Sequence, residues 1–144
     1  MRTRHFLDAV DRDKVILAIT KAEERTTGEI FVFVSQKNVA DALVEATRCF
    51  KKLKMDRNAL HNGILIFVAP RSHSFAVVGD TAVHARCGES FWNEVVEAMR
   101  PRLRQGEFTG ALLHGIERVG SLLADHFPAA SGDTKHPSGG VREE

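Results

Sequence analysis

Residues 62–69 read Asn-Gly-Ile-Leu-Ile-Phe-Val-Ala, and they constrain the architecture more than any other part of the chain. From position 64 to position 68 the run contains no polar residue, which is typical of a strand covered on both faces. The segment 30–34, Ile-Phe-Val-Phe-Val, has the same character, with β-branched and aromatic residues that favour strand structure. These two segments predict the buried centre of an α/β sheet.

The residues between the two predicted strands have helical periodicity. Asp41 can cap the first turn, and apolar residues follow at intervals of three and four: Leu43, Ala46, Phe50 and Leu53. A strand, a helix and a second strand in this order predict a right-handed crossover between parallel strands. After a turn at 70–73, the segment 75–78 is predicted to return as the antiparallel partner in a hairpin. The sheet is therefore predicted to be mixed.

Three more helical segments accompany this sheet in the prediction. The first follows a capping Asp11, the second starts at Glu89 and the third follows a capping Thr109. Pro101 should kink or stop the second helix, because proline removes a backbone donor and clashes with the preceding turn. A mixed sheet sandwiched between helices predicts a three-layer α/β/α arrangement over residues 1–128.

The last part of the chain, residues 129–144, differs in composition from the rest. It is rich in glycine, serine, proline and charged residues, and it has too little apolar area to contribute to a core. We predict a disordered C-terminal tail.

Composition limits the classes of function. The chain has 144 residues and a formal net charge of +1, which leaves no global field to attract nucleic acid. Its two cysteines, Cys49 and Cys87, do not complete a zinc-type spacing and do not indicate a disulfide framework. No Gly-x-Gly-x-x-Gly sequence follows a predicted strand, so neither a nucleotide nor an organic cofactor is expected. Function is therefore expected at a local site.

The sequence carries no signal for export or membrane insertion. Residues 1–8 include charge but no continuous apolar region, so they do not predict a signal peptide. The longest apolar run, 64–69, is far shorter than the roughly 20 residues that a transmembrane helix needs. We expect a cytoplasmic protein.

Polar residues interrupt the apolar pattern where the predicted strands begin and end. Glu29 precedes the first strand, Asn62 precedes the second, and Asp80 follows the third, with His84 four residues later. If the first two strands are parallel and the third is antiparallel, these positions lie at one edge of the sheet. We expect the functional site there.

The chemistry of this set favours a hard cation. Glu29, Asn62 and Asp80 offer the carboxylate and amide oxygens that Ca²⁺ or Mg²⁺ prefers, so they are the predicted metal ligands. Asp80 and His84 are the catalytic candidates, because a bound ion could offset charge on a phosphate ester while His84 protonates the leaving group. The alternative is structural, since asparagine and aspartate beside glycine routinely cap turns.

A basic cluster permits a different kind of function. Lys51, Lys52 and Lys54 lie at the end of a predicted helix, where cations interact favourably with the helix dipole. A solvated face is the simplest interpretation, and contact with an anionic partner or a membrane surface is the alternative. An adaptor that docks on a membrane-associated complex, with its protein partner unknown, therefore stays open.

Five segments carry a family resemblance. Residues 22–30, 62–69 and 75–80 resemble the three signature blocks of the TPM domain, and 88–92 and 106–109 resemble its short bacterial branch. The resemblance implies a mixed β-sheet between helices. Across the family it implies heterogeneous roles, namely an acid phosphatase of the thylakoid lumen, receptor-associated proteins and calcium-binding modules.

The residues and the resemblance together leave an ordered set of hypotheses. The first is a TPM domain protein that binds a divalent cation, Ca²⁺ or Mg²⁺, or a protein partner. The second is a metal-dependent acid phosphatase that hydrolyses phosphate monoesters, which the resemblance alone implies. No nucleophile paired with a base is visible in the sequence, so whether the protein is an enzyme stays open.

Overall fold

The computed structural model describes residues 11–72, 74–129 and 140–143. Within these ranges the helices and strands follow one another as α1 (Arg12–Glu24), β1 (Glu29–Val34), α2 (Ala42–Lys52), β2 (Gly63–Ala69), β3 (Ser74–Gly79), α3 (Thr81–Arg104), α4 (Phe108–His126) and β4 (Gly140–Glu143). Short 3₁₀ helices, Met55–Arg57 and Pro70–Ser72, flank β2. The element order confirms the predicted α/β fold.

The sheet has the strand order β3-β2-β1-β4. β1 and β2 are parallel, with Glu29 opposite Gly63, so α2 is the predicted crossover helix. β2 and β3 are antiparallel, with Ile64 opposite Gly79. The predicted mixed sheet is therefore confirmed.

Helices cover both faces of the sheet, because the side chains of each strand alternate between them. In β1, Ile30 and Val32 belong to the core formed with α1, α3 and α4. Phe31 and Phe33 face the smaller core under α2. β2 is buried along its whole length, as its uninterrupted apolar sequence predicted. The result is the expected three-layer arrangement.

Aspartate side chains begin three of the helices. Asp11 Oδ1 accepts a hydrogen bond from the Lys14 amide, and Asp41 Oδ1 accepts from two amides of the first turn of α2. Asp80 occupies the same position before α3. Thr109 was wrongly predicted as a cap: α4 begins one residue earlier, and Thr109 Oγ1 instead accepts a hydrogen bond from the Asp11 amide at 2.9 Å.

The predicted stop at Pro101 was also wrong, because α3 continues past it to Arg104. Pro101 lies one turn before the end of α3, so only a short stretch of helix follows the hydrogen bond that its missing amide removes. The interruption of α3 lies at Gly88, whose backbone has φ 72° and ψ 176°. A positive φ is accessible to glycine because it has no Cβ.

The C-terminal part of the chain contains a strand that the sequence analysis did not predict. Residues 130–139 and 144 of the proposed tail lie outside the described residues. Gly140–Glu143 pairs in parallel with β1, with Phe31 opposite Gly140 and Val34 opposite Glu143. Backbone donors and acceptors of β1 supply this pairing, so it needs no apolar run in the added segment.

Candidate functional site

The starts of β1 and β2 and the end of β3 meet at the same end of the strands, as the topology predicted. This is the edge of the sheet meant for the candidate site, and it is distinct from the unpaired side of β3. Glu29 lies opposite Gly63 in the parallel pair. The Asp80 amide donates a hydrogen bond to the Gly63 carbonyl at 2.9 Å. The backbones of Glu29, Gly63 and Asp80 therefore form a row across three chain segments.

Asn62 is fully buried beside this row, with 0% of its surface exposed. Its Nδ2 donates to Thr27 Oγ1 at 3.0 Å, which links the start of β2 to the loop before β1. Its Oδ1 is buried and has no hydrogen-bond partner among the described residues. A buried acceptor without a partner costs about 1–3 kcal/mol, so this oxygen needs an explanation.

Asp80 has two carboxylate oxygens in different environments. Oδ1 accepts from the Thr81 amide at 2.7 Å and caps α3, so the structural interpretation of this residue is correct for that atom. Oδ2 is buried and lacks a hydrogen-bond donor within the described ranges. The imidazole of His61 approaches this oxygen, with Nδ1 3.4 Å away. Helix capping therefore explains the role of Oδ1 but not the burial of Oδ2.

Glu29 is oriented by the loop that precedes β2. Its Oε1 accepts a hydrogen bond from Asn58 Nδ2 at 2.8 Å. Asn58 is held in turn by the Leu60 amide, which donates to Asn58 Oδ1 at 2.8 Å. A carboxylate offers about four lone-pair sites on its two oxygens, so Glu29 keeps capacity for a further ligand.

The loop before β1 approaches the start of β2 closely. A Cβ atom on Gly28 would lie 2.9 Å from the Asn62 carbonyl oxygen and 2.9 Å from a methyl group of Leu123. Thr26 holds the same loop against the end of α4. Its Oγ1 donates a hydrogen bond to the Leu123 carbonyl at 3.1 Å and also contacts the Phe127 carbonyl. Glycine at position 28 therefore permits the close approach that packs this loop against Asn62.

His84 is exposed on the first turn of α3. Its backbone amide donates to the Asp80 carbonyl at 2.9 Å, and the residue lines a groove beside β3. His61 is the histidine placed next to the Asp80 carboxylate, and sequence reasoning missed it. Its position directly before Asn62 was the available signal. Its left-handed backbone, with φ 52°, was not readable from the sequence.

Three other observations bear on the sequence hypotheses. Within the described part of the chain, no three His, Cys, Asp or Glu side chains form a group that could hold a metal ion. The predicted ligand set contains only two carboxylates and an amide, so it is of a different type. Lys51, Lys52 and Lys54 are exposed at the end of α2, as a solvated basic face requires. None of the described helices is long and apolar enough to span a bilayer.

Comparison with known proteins gives a family match and two structural neighbours. The profile of the TPM domain matches residues 1–122. The NMR structure of BA42 from the psychrophilic bacterium Bizionia argentinensis aligns with TM-score 0.82 and 31% identity over 92% of each chain. The N-terminal domain of cg2496 from Corynebacterium glutamicum aligns with TM-score 0.60 and 20% identity, over 86% of this chain and 77% of that one. The second likeness shows the fold alone. No functionally curated protein matches the chain.

Proposed function

The chain belongs to the TPM domain family, and from this membership we propose that it binds a divalent cation, Ca²⁺ or Mg²⁺, at the sheet edge where β1 and β2 begin. The observation that carries the proposal is the pair of buried oxygens there, Asn62 Oδ1 and Asp80 Oδ2, which have no hydrogen donor in the described ranges. Amide and carboxylate oxygens are the ligands that these cations prefer.

The donor chemistry of these residues suits such an ion. Asn62 and Asp80 would each contribute one buried oxygen, and Glu29 would add a carboxylate from the neighbouring strand. Asn58 and Thr27 hold Glu29 and Asn62 in place through their side-chain hydrogen bonds. An ion bound at this edge would satisfy two acceptors whose burial otherwise destabilises the fold.

A titration with a matched control tests the proposal. We expect Ca²⁺ or Mg²⁺, added to chelator-treated protein, to shift backbone amide resonances around Gly28, Asn62 and Asp80. We also expect a rise in the melting temperature, since a ligand of the folded state stabilises it. Asp80→Asn should weaken both effects, because it removes one negative charge and keeps a side chain able to cap α3.

Asp41→Asn is the control, because Asp41 caps α2 by the same chemistry away from this edge. It should leave the ion response unchanged. Unaltered spectra at millimolar ion, or equal losses in the two variants, would contradict cation binding at this edge.

A second candidate function, hydrolysis of phosphate monoesters, is favoured by the 3.4 Å separation between His61 Nδ1 and Asp80 Oδ2. A cation held by Asn62 and Asp80 would offset charge at the phosphoryl oxygens while water attacks phosphorus. In this proposal His61 would donate a proton to the leaving oxygen, and His84, whose backbone lies one helical turn from Asp80, would take no part.

Hydrolysis of a generic aryl phosphate separates these roles. Turnover that requires the ion, falls in His61→Gln and persists in His84→Gln supports the second candidate. Turnover that is indifferent to both changes would belong to a contaminating enzyme.

A further inference from the structure

We propose that the groove along the open edge of β3 binds an extended apolar peptide with a basic side chain, which adds to the sheet as a further strand. This site is separate from the cation site and extends the function to recognition of a partner polypeptide.

β3 ends the sheet on one side in the described structure, so one row of its backbone groups has no neighbouring strand. In an antiparallel pair, residues that exchange hydrogen bonds with the partner alternate with residues that do not. The bond from the Asp80 amide to the Gly63 carbonyl sets the phase of this alternation. Phe75, Val77 and Gly79 therefore direct their amides and carbonyls away from β2, toward the open edge.

The groove beside these residues has two walls. α2 contributes one side through Ala42, Leu43 and Thr47, and α3 contributes the other, which includes Trp92. The volume of the groove is about 650 Å³. Leu43 projects into it with 58% of its surface exposed. An unpaired strand edge between apolar walls is the arrangement that binds peptides by strand addition.

Trp92 supplies an independent sign of a missing partner. The residue lines the groove and is only 8% exposed. Its indole Nε1 is buried and has no acceptor among the described residues. Buried tryptophan normally finds a hydrogen-bond partner. The backbone carbonyls of an added strand are acceptors of the required kind.

Charge indicates what the peptide carries. Asp41 is the only carboxylate among the described lining residues, and no lysine or arginine lines the groove with it. Asp41 Oδ1 caps α2, and the carboxylate makes no salt bridge within the described ranges. Ser72 Oγ accepts from the Val39 amide at 3.2 Å, which places Asp41 near the start of β3. The ring of Phe75 already carries the guanidinium of Arg100, 5.3 Å from its centroid. A lysine or arginine of the peptide is therefore expected beside Asp41, at the α2 wall of the groove.

The walls favour a single strand over a second copy of this chain. Because α2 and α3 stand on both sides of the edge, a second sheet would have to bring its own flanking helices into the same space. A lone extended segment, which is narrower than a helix-flanked sheet, fits between them.

A synthetic peptide tests the proposal on the full chain. The probe alternates valine and threonine over eight positions, has a lysine near one end, and contains no tryptophan. Trp92 is the single tryptophan of the chain, so its emission reports occupancy of the groove. We expect a saturable change in that emission, together with amide shifts at Phe75, Val77 and Gly79.

Two pairs of comparisons make the test specific. Leu43→Lys should weaken binding at least about tenfold, whereas Val44→Lys should not, because Val44 is 49% exposed on the same helix but does not line the groove. Replacing the peptide lysine by glutamate should weaken binding to the natural chain. That difference should shrink in Asp41→Asn, which keeps a capping side chain without the charge.

Three results with the peptide would overturn the proposal. They are an unchanged Trp92 signal at millimolar peptide, amide shifts that fall elsewhere, and equal effects of Leu43→Lys and Val44→Lys. A dimer that forms without peptide and dissociates in Leu43→Lys would also overturn it, because it would assign the groove to a second copy.

Discussion

A Cβ atom on Gly79 would lie only 2.3 Å from Cζ2 of Trp92, so the indole ring packs directly against the backbone of β3. Gly79 and Trp92 both line the groove beside β3, and Gly79 directly precedes Asp80. The contact therefore lies between the groove and the candidate cation site. It also explains why the position holds glycine, since any side chain would displace the ring.

We predict that Gly79→Ala lowers the free energy of unfolding by about 1–3 kcal/mol, because the added methyl overpacks a closed contact. Gly110→Ala in α4 is the control, since the nearest atom to its added methyl is 3.8 Å away on the Arg102 side chain. It should be neutral or stabilising by up to about 1 kcal/mol. Urea unfolding followed by far-UV circular dichroism measures both. Equal stabilities for the two variants would contradict the packing argument.

Asn62→Asp separates a buried ligand from a buried structural polar group. It replaces a neutral side chain, whose oxygen has no partner among the described residues, by a second negative charge at the end of the sheet where Asp80 lies. Without divalent cation, we expect a loss of stability, because a buried charge lacks a counter-ion. With Ca²⁺ or Mg²⁺, we expect a larger recovery of melting temperature than in the natural protein, because added ligand charge strengthens binding. A variant that stays destabilised at every ion concentration argues against Asn62 as a ligand.

Lys54 occupies a left-handed conformation, with φ 61° and ψ 27°, immediately after the last turn of α2. Glycine is favoured in this conformation because it has no Cβ. Lys54→Gly should therefore raise the free energy of unfolding by up to about 1 kcal/mol. Lys52→Gly, inside the helix, should lower it by about 0.5–1 kcal/mol. Opposite signs in chemical denaturation are the expected result, and a loss of stability in Lys54→Gly would contradict it.

Cys87 is expected to alkylate slowly at neutral pH. Burial raises the pKa of its thiol above the ordinary 9.0, and the positive charge of Arg86 partly opposes this. A raised pKa means less reactive thiolate at a given pH, so the rate should still be rising beyond pH 9.0. Arg86→Gln should slow the reaction further, because it removes the opposing charge. Iodoacetamide labelling resolved by mass spectrometry measures this site separately from Cys49, and faster labelling in Arg86→Gln would refute the explanation.

Much of the fold follows from local patterns. The apolar run at 64–68 predicted a strand buried along its length, and Gly63–Ala69 has that property. The capping aspartates, Asp11 and Asp41, begin the helices that they were predicted to begin. Pro101 and Thr109 were misjudged, because their effect depends on how near they lie to the end of a helix, which the sequence does not specify to the residue.

The candidate site was predictable only in outline. The polarity of the strands brings the backbones of Glu29, Asn62 and Asp80 to one edge, and the order of strands along the chain sufficed to infer it. The sequence did not indicate that His61 rather than His84 would lie beside the Asp80 carboxylate. That depends on a left-handed residue in the preceding loop. The sequence of Gly140–Glu143 did not predict a strand either, because this segment pairs through backbone hydrogen-bonding groups of β1 and not through an apolar pattern of its own.

Apolar periodicity, capping residues and chain order are properties of neighbouring residues, and they were enough for the mixed sheet and for the edge at which its polar residues gather. Such patterns do not specify the distances between residues that are remote in the chain. Among the described residues, the tertiary structure leaves Asn62 Oδ1 and Trp92 Nε1 without hydrogen-bond partners. It also leaves one side of β3 without a neighbouring strand, between two helices. The cation and peptide proposals rest on these features, because the partners of a buried polar group are set by packing in three dimensions rather than by residue type.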